Sequence, residues 1–224
     1  MTTGIEEDIL MIPAYINDQL TSLFPLDDRM KQQLCSYVSL LEKWNKAYNL
    51  VGKTTVDDIW QRHILDSIQL APLIPKGSKI ITDFGSGAGL PAIILAICFP
   101  QKQVHVIESV GKKSLFMAQV SRETELSNVT IHNERIEQLT PWQSDVITAR
   151  AFAPLPELFT YIMPFLQKDC LCLLPKGCKS SSEVEEVCQN WTFSLGEHPS
   201  LTQDRDGNHG VILAIKDVGR KNHG

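Results

Sequence analysis

KIITDFGSGAGLPAIILAICFPQKQVHVIE, residues 79–108, runs as apolar segment, glycine loop, helix, apolar segment and closing carboxylate. Residues 79–83 are a short strand-like run that ends in Asp83. Gly85, Gly87 and Gly89 follow at alternate positions, where the backbone can turn sharply and approach a ligand closely. Residues 90–99 read as a helix, with Pro91 near its first turn, where a missing N–H costs little. Residues 104–107 are a second strand and Glu108 ends it. This is a β-loop-α-β unit. In an open α/β sheet it places the glycine loop and Glu108 at the carboxyl edge, where ligands bind.

The loop also limits which ligand fits. The dinucleotide fingerprint GxGxxG requires a sixth-position glycine where this chain has Leu90, and the GK[ST] ending of a P-loop is absent. Asp83 to Gly89 spell D-x-G-x-G-x-G. This is similar to the first motif of class I S-adenosylmethionine (SAM) methyltransferases. A carboxylate just before the loop suits an ammonium-bearing cofactor better than a pyrophosphate, and one about 20 residues further on suits a ribose diol. Asp83 is therefore expected at the methionine end of SAM, and Glu108 at its ribose.

The chain has 224 residues, 43% hydrophobic and 21% charged, with a formal net charge of −5. That is enough chain for one sizeable core. The negative charge means that any nucleic-acid contact must use a local basic patch. No apolar run is long enough for a membrane span, and the acidic N-terminus lacks the positive charge of a signal peptide, so a cytoplasmic protein is expected. Six cysteines, at 35, 98, 170, 172, 178 and 188, form no C-x-x-C pair and no zinc spacing. They read as reduced core residues, and no metal is expected.

Before the sheet, Ile5, Ile9, Ile12, Ile16, Leu20 and Leu23 form a helical stripe interrupted by Pro13. Asp27 is a candidate cap for a longer helix whose apolar face includes Leu34, Tyr37, Leu41, Trp44 and Tyr48. A third helix starts near Thr54 or Thr55, and on it His63 and Asp66 are spaced to touch. Residues 1–75 thus read as an N-terminal helical cap, residues 76–218 as the α/β core and residues 219–224 as a frayed tail. After Glu108, Lys112 and Lys113 open a helix whose packing candidates are Leu115, Phe116, Ala118 and Val120. Residues 129–132 and 145–150 read as strands three and four, 158–166 as a helix bent by Pro164, and 170–174 as strand five. A helix over 180–189 precedes two last strands at 191–195 and 211–216, with a polar, mobile linker between them.

Five segments in order then carry a family resemblance: NLVGKT with H-x-x-DS, DFGSGAGLPAI, ES-x-GKK, ERIEQL and RAFAPL. Together they resemble the bacterial RsmG (GidB) family over residues 25–216. The resemblance implies a class I SAM-dependent methyltransferase fold, α/β and Rossmann-like, with a seven-stranded mixed sheet, its last strand antiparallel, behind the helical cap. It implies SAM-dependent methylation of guanine N7 in the decoding-region hairpin of 16S ribosomal RNA, the small (30S) ribosomal subunit as partner, and a monomer. It also implies that Gly85, Leu90, Ile136, Glu137 and Arg150 contact the cofactor, with Ile136 against the adenine and the Glu137 backbone at its edge.

Guanine N7 carries an in-plane lone pair and no proton, so no general base is needed, and none is assigned. Arg150 is a positioning candidate, and the N/D-P-P-Y/F motif of exocyclic-amine methylation is absent: Arg150-Ala151-Phe152-Ala153 stands there. Lys53, Arg62, Lys112, Lys113 and Arg135 are candidates for phosphate contact. Two further readings stay open on sequence: a small-molecule SAM methyltransferase, and a non-catalytic SAM-binding ribosome assembly factor.

Overall fold

The computed structural model describes residues 11–177, 180–203 and 207–221, with the side chains of residues 53 and 54 excepted. Helix α1 (Ala14–Leu23) starts directly after Pro13, and residues 5–10 of the expected stripe lie outside the described residues. Helix α2 (Asp28–Tyr48) starts where Asp27 accepts the Met30 N–H at 2.8 Å, satisfying one of the free donors of the first turn. Helix α3 (Lys53–Val56) is a single turn, followed by a π-helical segment (Trp60–Leu65) and a last short turn, α4 (Asp66–Ile68).

A seven-stranded sheet follows, of order β3-β2-β1-β4-β5-β7-β6. Its parallel strands are β1 (Ile80–Phe84), β2 (Gln103–Ile107), β3 (Val129–His132), β4 (Ser144–Ala149) and β5 (Leu166–Lys176). Strand β7 (His209–Arg220) lies antiparallel to β5, and β6 (Trp191–Gln203) closes the edge against β7. Helices α5 (Ala92–Cys98) and α6 (Gly111–Glu123) cover one face, together with the N-terminal helices. Helices α7 (Leu155–Ile162) and α8 (Ser180–Val187) cover the other. The apolar residues of α1 and α2 join those of α5, α6 and the sheet in one continuous cluster. The N-terminal helices therefore share the core of the sheet.

Strand order reverses at β1, which pairs with both β2 and β4. That topological switch opens a crevice beyond the carboxyl ends of these two strands. Asp145, at the start of β4, ties that strand to β1 at the opposite end, accepting the N–H groups of Lys79 and Ile80 at 2.7 and 2.8 Å.

Several expectations are corrected. The polar stretch at 196–210 is mostly hairpin: β6 runs through Gln203, and Gly196 pairs with Ala214 and Glu197 with Leu213. Its polarity is that of an edge strand: residues 196–199 face water, Pro199 is tolerated there, and Ser200 and Thr202 turn inward to Gln69 and Asp66. Gly219 and Arg220 belong to β7, so the core extends past 218, while residues 222–224 lie outside the described residues. Helix α7 begins at Leu155, and residues 163–165 form a separate 3₁₀ turn around Pro164. On α6 the core-facing residues are Ser114, Phe116, Met117 and Val120, whereas Leu115 is 66% exposed and Ala118 is exposed as well. Tyr48 is 44% exposed, whereas Trp44 reaches Phe116, ring centres 5.7 Å apart. Cys35, Cys98, Cys170 and Cys172 are buried, Cys188 is exposed, and Cys178 lies outside the described residues.

Candidate active site

The glycine loop after β1 is held from three sides. Glu108, at the end of β2, accepts the Gly87 N–H on Oε2 and the Val110 N–H on Oε1, both at 2.9 Å. Tyr37, fully buried on α2, donates its hydroxyl to the Ala88 carbonyl at 2.9 Å. The N–H groups of Gly85 and Ser86 bond to the Ile107 carbonyl at 3.0 and 3.2 Å. Gly85 has φ +67°, and a Cβ there would sit 2.2 Å from Cδ2 of Phe152, so only glycine lets that ring pack down on the loop. At Gly87, φ is +58° and an added Cβ would meet nothing within 4 Å, because the position faces the crevice. Gly89 is absent from the crevice lining and packs against Ile93 and Met117. It shapes the turn.

Two cavities open beside this loop. The larger, about 810 Å³, is lined by Leu50, Arg62, His63, Asp66, Gly85, Gly87, Leu90, Lys113 and Arg150, with the ends of β5, β6 and β7. The smaller, about 360 Å³, is lined by Gly85, Ile107, Glu108, Ser109, Lys113, Arg135, Ile136, Glu137, Phe152 and Tyr161. Gly85, Lys113, Ala151 and Phe152 border both, so the two are adjoining compartments of one crevice.

Asp83 is buried beneath the loop. Its Oδ1 accepts the Thr148 hydroxyl at 2.6 Å, and its Oδ2 has no partner among the described residues. Burial pushes its carboxyl up to about 7, against the opposing effects of hydrogen bonding and of the Arg150 charge. Between pH 3.8 and 7 the unfolded carboxyl is ionised and the folded one protonated. The unfolded state then binds fewer protons, and stability falls with rising pH by about 1.4 kcal/mol per unit.

Arg150, just beyond β4, ties the sheet to the N-terminal helices. Its Nη1 meets Asp66 Oδ2 at 2.9 Å and the Arg62 carbonyl at 3.4 Å, and its Nη2 lies 3.3 Å from His63 Nδ1. Arginine can only donate, so Nδ1 is the acceptor and the His63 proton sits on Nε2, which donates to Thr55 Oγ1 at 3.0 Å. Burial, with the Arg150 charge beside it, lowers His63 to about 4, so the ring is neutral at physiological pH. His63 and Asp66 therefore meet through Arg150 in place of the expected direct pair. Asp66 Oδ1 is filled by Gln69 and Thr202 at 2.9 and 2.8 Å.

The structure brings Gly85, Gly87, Leu90, Glu108, Ile136, Glu137 and Arg150 to the lining of one crevice, whereas Asp83 is fully buried behind the loop and lines neither cavity. Of the basic candidates, Lys113 borders both cavities, Arg62 the larger and Arg135 the smaller, and Lys112 is exposed on the first turn of α6. Arg62 is half-buried and donates to the Gln203 carbonyl. The Lys53 side chain lies outside the described residues. Sequence reasoning missed Phe152, whose contact with Gly85 joins residues 67 positions apart with no periodic signal. It also missed Thr148, the hydroxyl two residues before Arg150 that fixes Asp83.

Residues 30–211 match the sequence model of the family described as GidB, rRNA small subunit methyltransferase G. The curated protein named ribosomal RNA small subunit methyltransferase G from Rhodospirillum centenum is 36% identical over 209 residues, covering 93% of this chain and 94% of that one. Its namesake from Paramagnetospirillum magneticum is 41% identical, covering 84% and 89%. Among solved structures, M. jannaschii TYW2 in complex with AdoMet superposes with a TM-score of 0.56 at 13% identity, over 79% of this chain and 80% of that one. At that identity the likeness establishes the fold, a class I methyltransferase sheet.

Proposed function

Since the chain belongs to the rRNA small subunit methyltransferase G family, we propose that it methylates N7 of a guanine in the decoding-region hairpin of 16S ribosomal RNA, with SAM as donor. The relatives' name supplies small-subunit ribosomal RNA as the substrate. The base and its atom rest on the resemblance of the five sequence segments. The observation that carries the reading is the crevice itself: an open glycine loop over a buried, half-partnered Asp83, flanked by Glu108 and facing Arg150.

These residues fit the cofactor. The unpartnered Oδ2 of Asp83 is an acceptor left for an ammonium, directly or through water. Glu108 uses one lone pair of each oxygen on the backbone and keeps others for ribose hydroxyls. Ile136 and Glu137 border the smaller cavity, as adenine contacts should, and Gly85 and Gly87 keep side chains out of the space between. When bound, SAM supplies a methyl group made electrophilic by the adjacent sulfonium. The chain's part is then to exclude water and to hold the acceptor nitrogen in line, because guanine N7 has no proton to lose. Neutral His63, its lone pair turned to Arg150, is consistent with a reaction that uses no base.

The deciding experiment is methyl transfer from labelled SAM to 30S subunits lacking the modification, with the labelled base mapped. Label at guanine N7 is expected, with 30S particles a far better substrate than protein-free RNA, since a chain of net charge −5 needs many contacts beyond one hairpin. SAM binding without transfer would instead select the assembly-factor reading.

Two predictions test the cofactor contacts. Glu108→Ala should weaken SAM by about 1–3 kcal/mol, through loss of charged hydrogen bonds and of the loop tether. Affinity within error of the parent would remove Glu108 from the ribose. SAM affinity should also rise roughly tenfold from pH 5.5 to 7, as Asp83 ionises to meet the ammonium. Asp83→Asn should flatten that rise in calorimetric titrations, and an unchanged pH profile in this variant would exclude Asp83 as the partner.

A further inference from the structure

Residues 150–154 join β4 to α7 and bring Arg150 and Phe152 to the crevice. Ala151 holds φ +52°, a conformation that costs a non-glycine residue energy and persists only where its surroundings enforce it. One end of the loop is fixed by Arg150 on Asp66. The other end meets a second ion pair, whose members come from β5 and α8 and also line the larger cavity. Lys176 is the last residue of β5, and Glu183 lies on α8, with Nζ and Oε2 2.7 Å apart. The same Oε2 accepts the Leu155 N–H at 3.0 Å, and the same Nζ donates to the Ala153 carbonyl at 3.3 Å. These two backbone groups flank Pro154, which has no N–H of its own to anchor the loop.

We infer that Lys176 and Glu183 are positioning residues of the methyl-transfer site: their ion pair clamps the peptide groups on either side of Pro154 and so holds Phe152 on Gly85, where the two cavities join. The inference rests on reading the crevice as the methyl-transfer site. Phe152 is 37% exposed and borders both cavities, so its place sets the boundary between them. An ångström of loop displacement there alters the alignment of donor and acceptor, and misplacements of that size cost about 100-fold in rate.

A purely structural role is the alternative, because Glu183 also satisfies the first free N–H of α7. A helix cap alone would lower the melting temperature and leave turnover of the folded protein unchanged. The test uses the full chain with Glu183→Ala, Glu183→Gln and Lys176→Met, each assayed well below its melting temperature. Amide exchange at residues 151–155 should accelerate about tenfold or more in Glu183→Ala while β1 stays protected. Turnover on unmodified 30S subunits should fall about 10- to 100-fold, with SAM affinity and KM for the particle within about threefold of the parent. Glu183→Gln, which keeps an acceptor for Leu155, should recover most of the rate. Turnover within twofold of the parent, or unchanged loop exchange, would overturn the inference. If Glu183→Ala does not fold, Lys176→Met decides by the same two readouts. If the parent itself does not methylate 30S subunits, the functional reading fails, and loop exchange still decides whether the clamp exists.

Discussion

Gly87→Val is expected to eliminate SAM binding while the chain stays folded. Among the described residues an added Cβ at position 87 meets nothing within 4 Å, and the residue lines the larger cavity. A valine side chain there projects into the cavity and occupies ligand volume. The backbone adds a smaller effect. With φ at +58°, a β-branched residue is strained by about 1–3 kcal/mol, relieved in part if the loop shifts. A shift in turn breaks the Gly87 N–H bond to Glu108, so the ribose candidate is displaced as well. Both effects act against the cofactor, and a loss of affinity of about 100-fold or more follows from their sum. Calorimetry measures it directly, and thermal unfolding without ligand separates the strain from the steric block. Affinity close to that of the parent would mean that the cofactor does not pass over this loop.

How much of this was legible in the sequence depended on whether the governing contact was local. The β-loop-α-β unit, the carboxylates at 83 and 108 and the Asp27 cap all follow from spacing within one or two elements, and the structure has them. Residues 196–203 of β6 did not read as strand because β6 is the sheet edge, with β7 as its one neighbour, and most of its side chains there show no amphipathic alternation. Pairing with Ala214 and Leu213 defines Gly196 and Glu197, and nothing in their own side chains announces it. Long-range contacts were equally silent. Lys176 and Glu183 are seven residues apart in sequence, yet their targets are Ala153 and Leu155. The resemblance named Arg150 as a cofactor contact, but not the half-buried Asp66 that it faces.

The electrostatic question also resolves locally. A chain of net charge −5 has to meet a polyanion, and Lys113, Arg62 and Arg135 all border the crevice. At a Debye length of about 8 Å distant acids are screened, but Glu108, Glu134 and Glu137 line the smaller cavity, so the local positive excess lies in the larger one, where Arg62, Lys113, Arg150 and Lys176 face Asp66 and Glu183. Arg62, half-buried and bonded to Gln203, is less free to follow a phosphate than the exposed Arg135.

Arg150→Met should cost both stability and activity, and the way the two losses respond to a second substitution separates them. The Arg150–Asp66 pair is 2.9 Å long, with side chains 21% and 13% exposed, so water screens it only partly. Removing the arginine strands a carboxylate that still accepts from Gln69 and Thr202, and frees His63 Nδ1 and the Arg62 carbonyl from their donor. Breaking a fully buried pair costs about 3–5 kcal/mol, and exposure to the crevice reduces this to about 2–4 kcal/mol. For a chain of this size that is a fall in melting temperature of roughly 5–15 °C. Asp66→Asn in the same background removes the stranded charge, so the double variant should be more stable than the sum of the two single losses. Activity should not recover with stability. Arg150 also lines the larger cavity beside Gly85 and Phe152, and asparagine at 66 supplies no guanidinium there. A double variant that regains both would make Arg150 a strut between the sheet and the N-terminal helices; one that regains stability alone leaves it in the site.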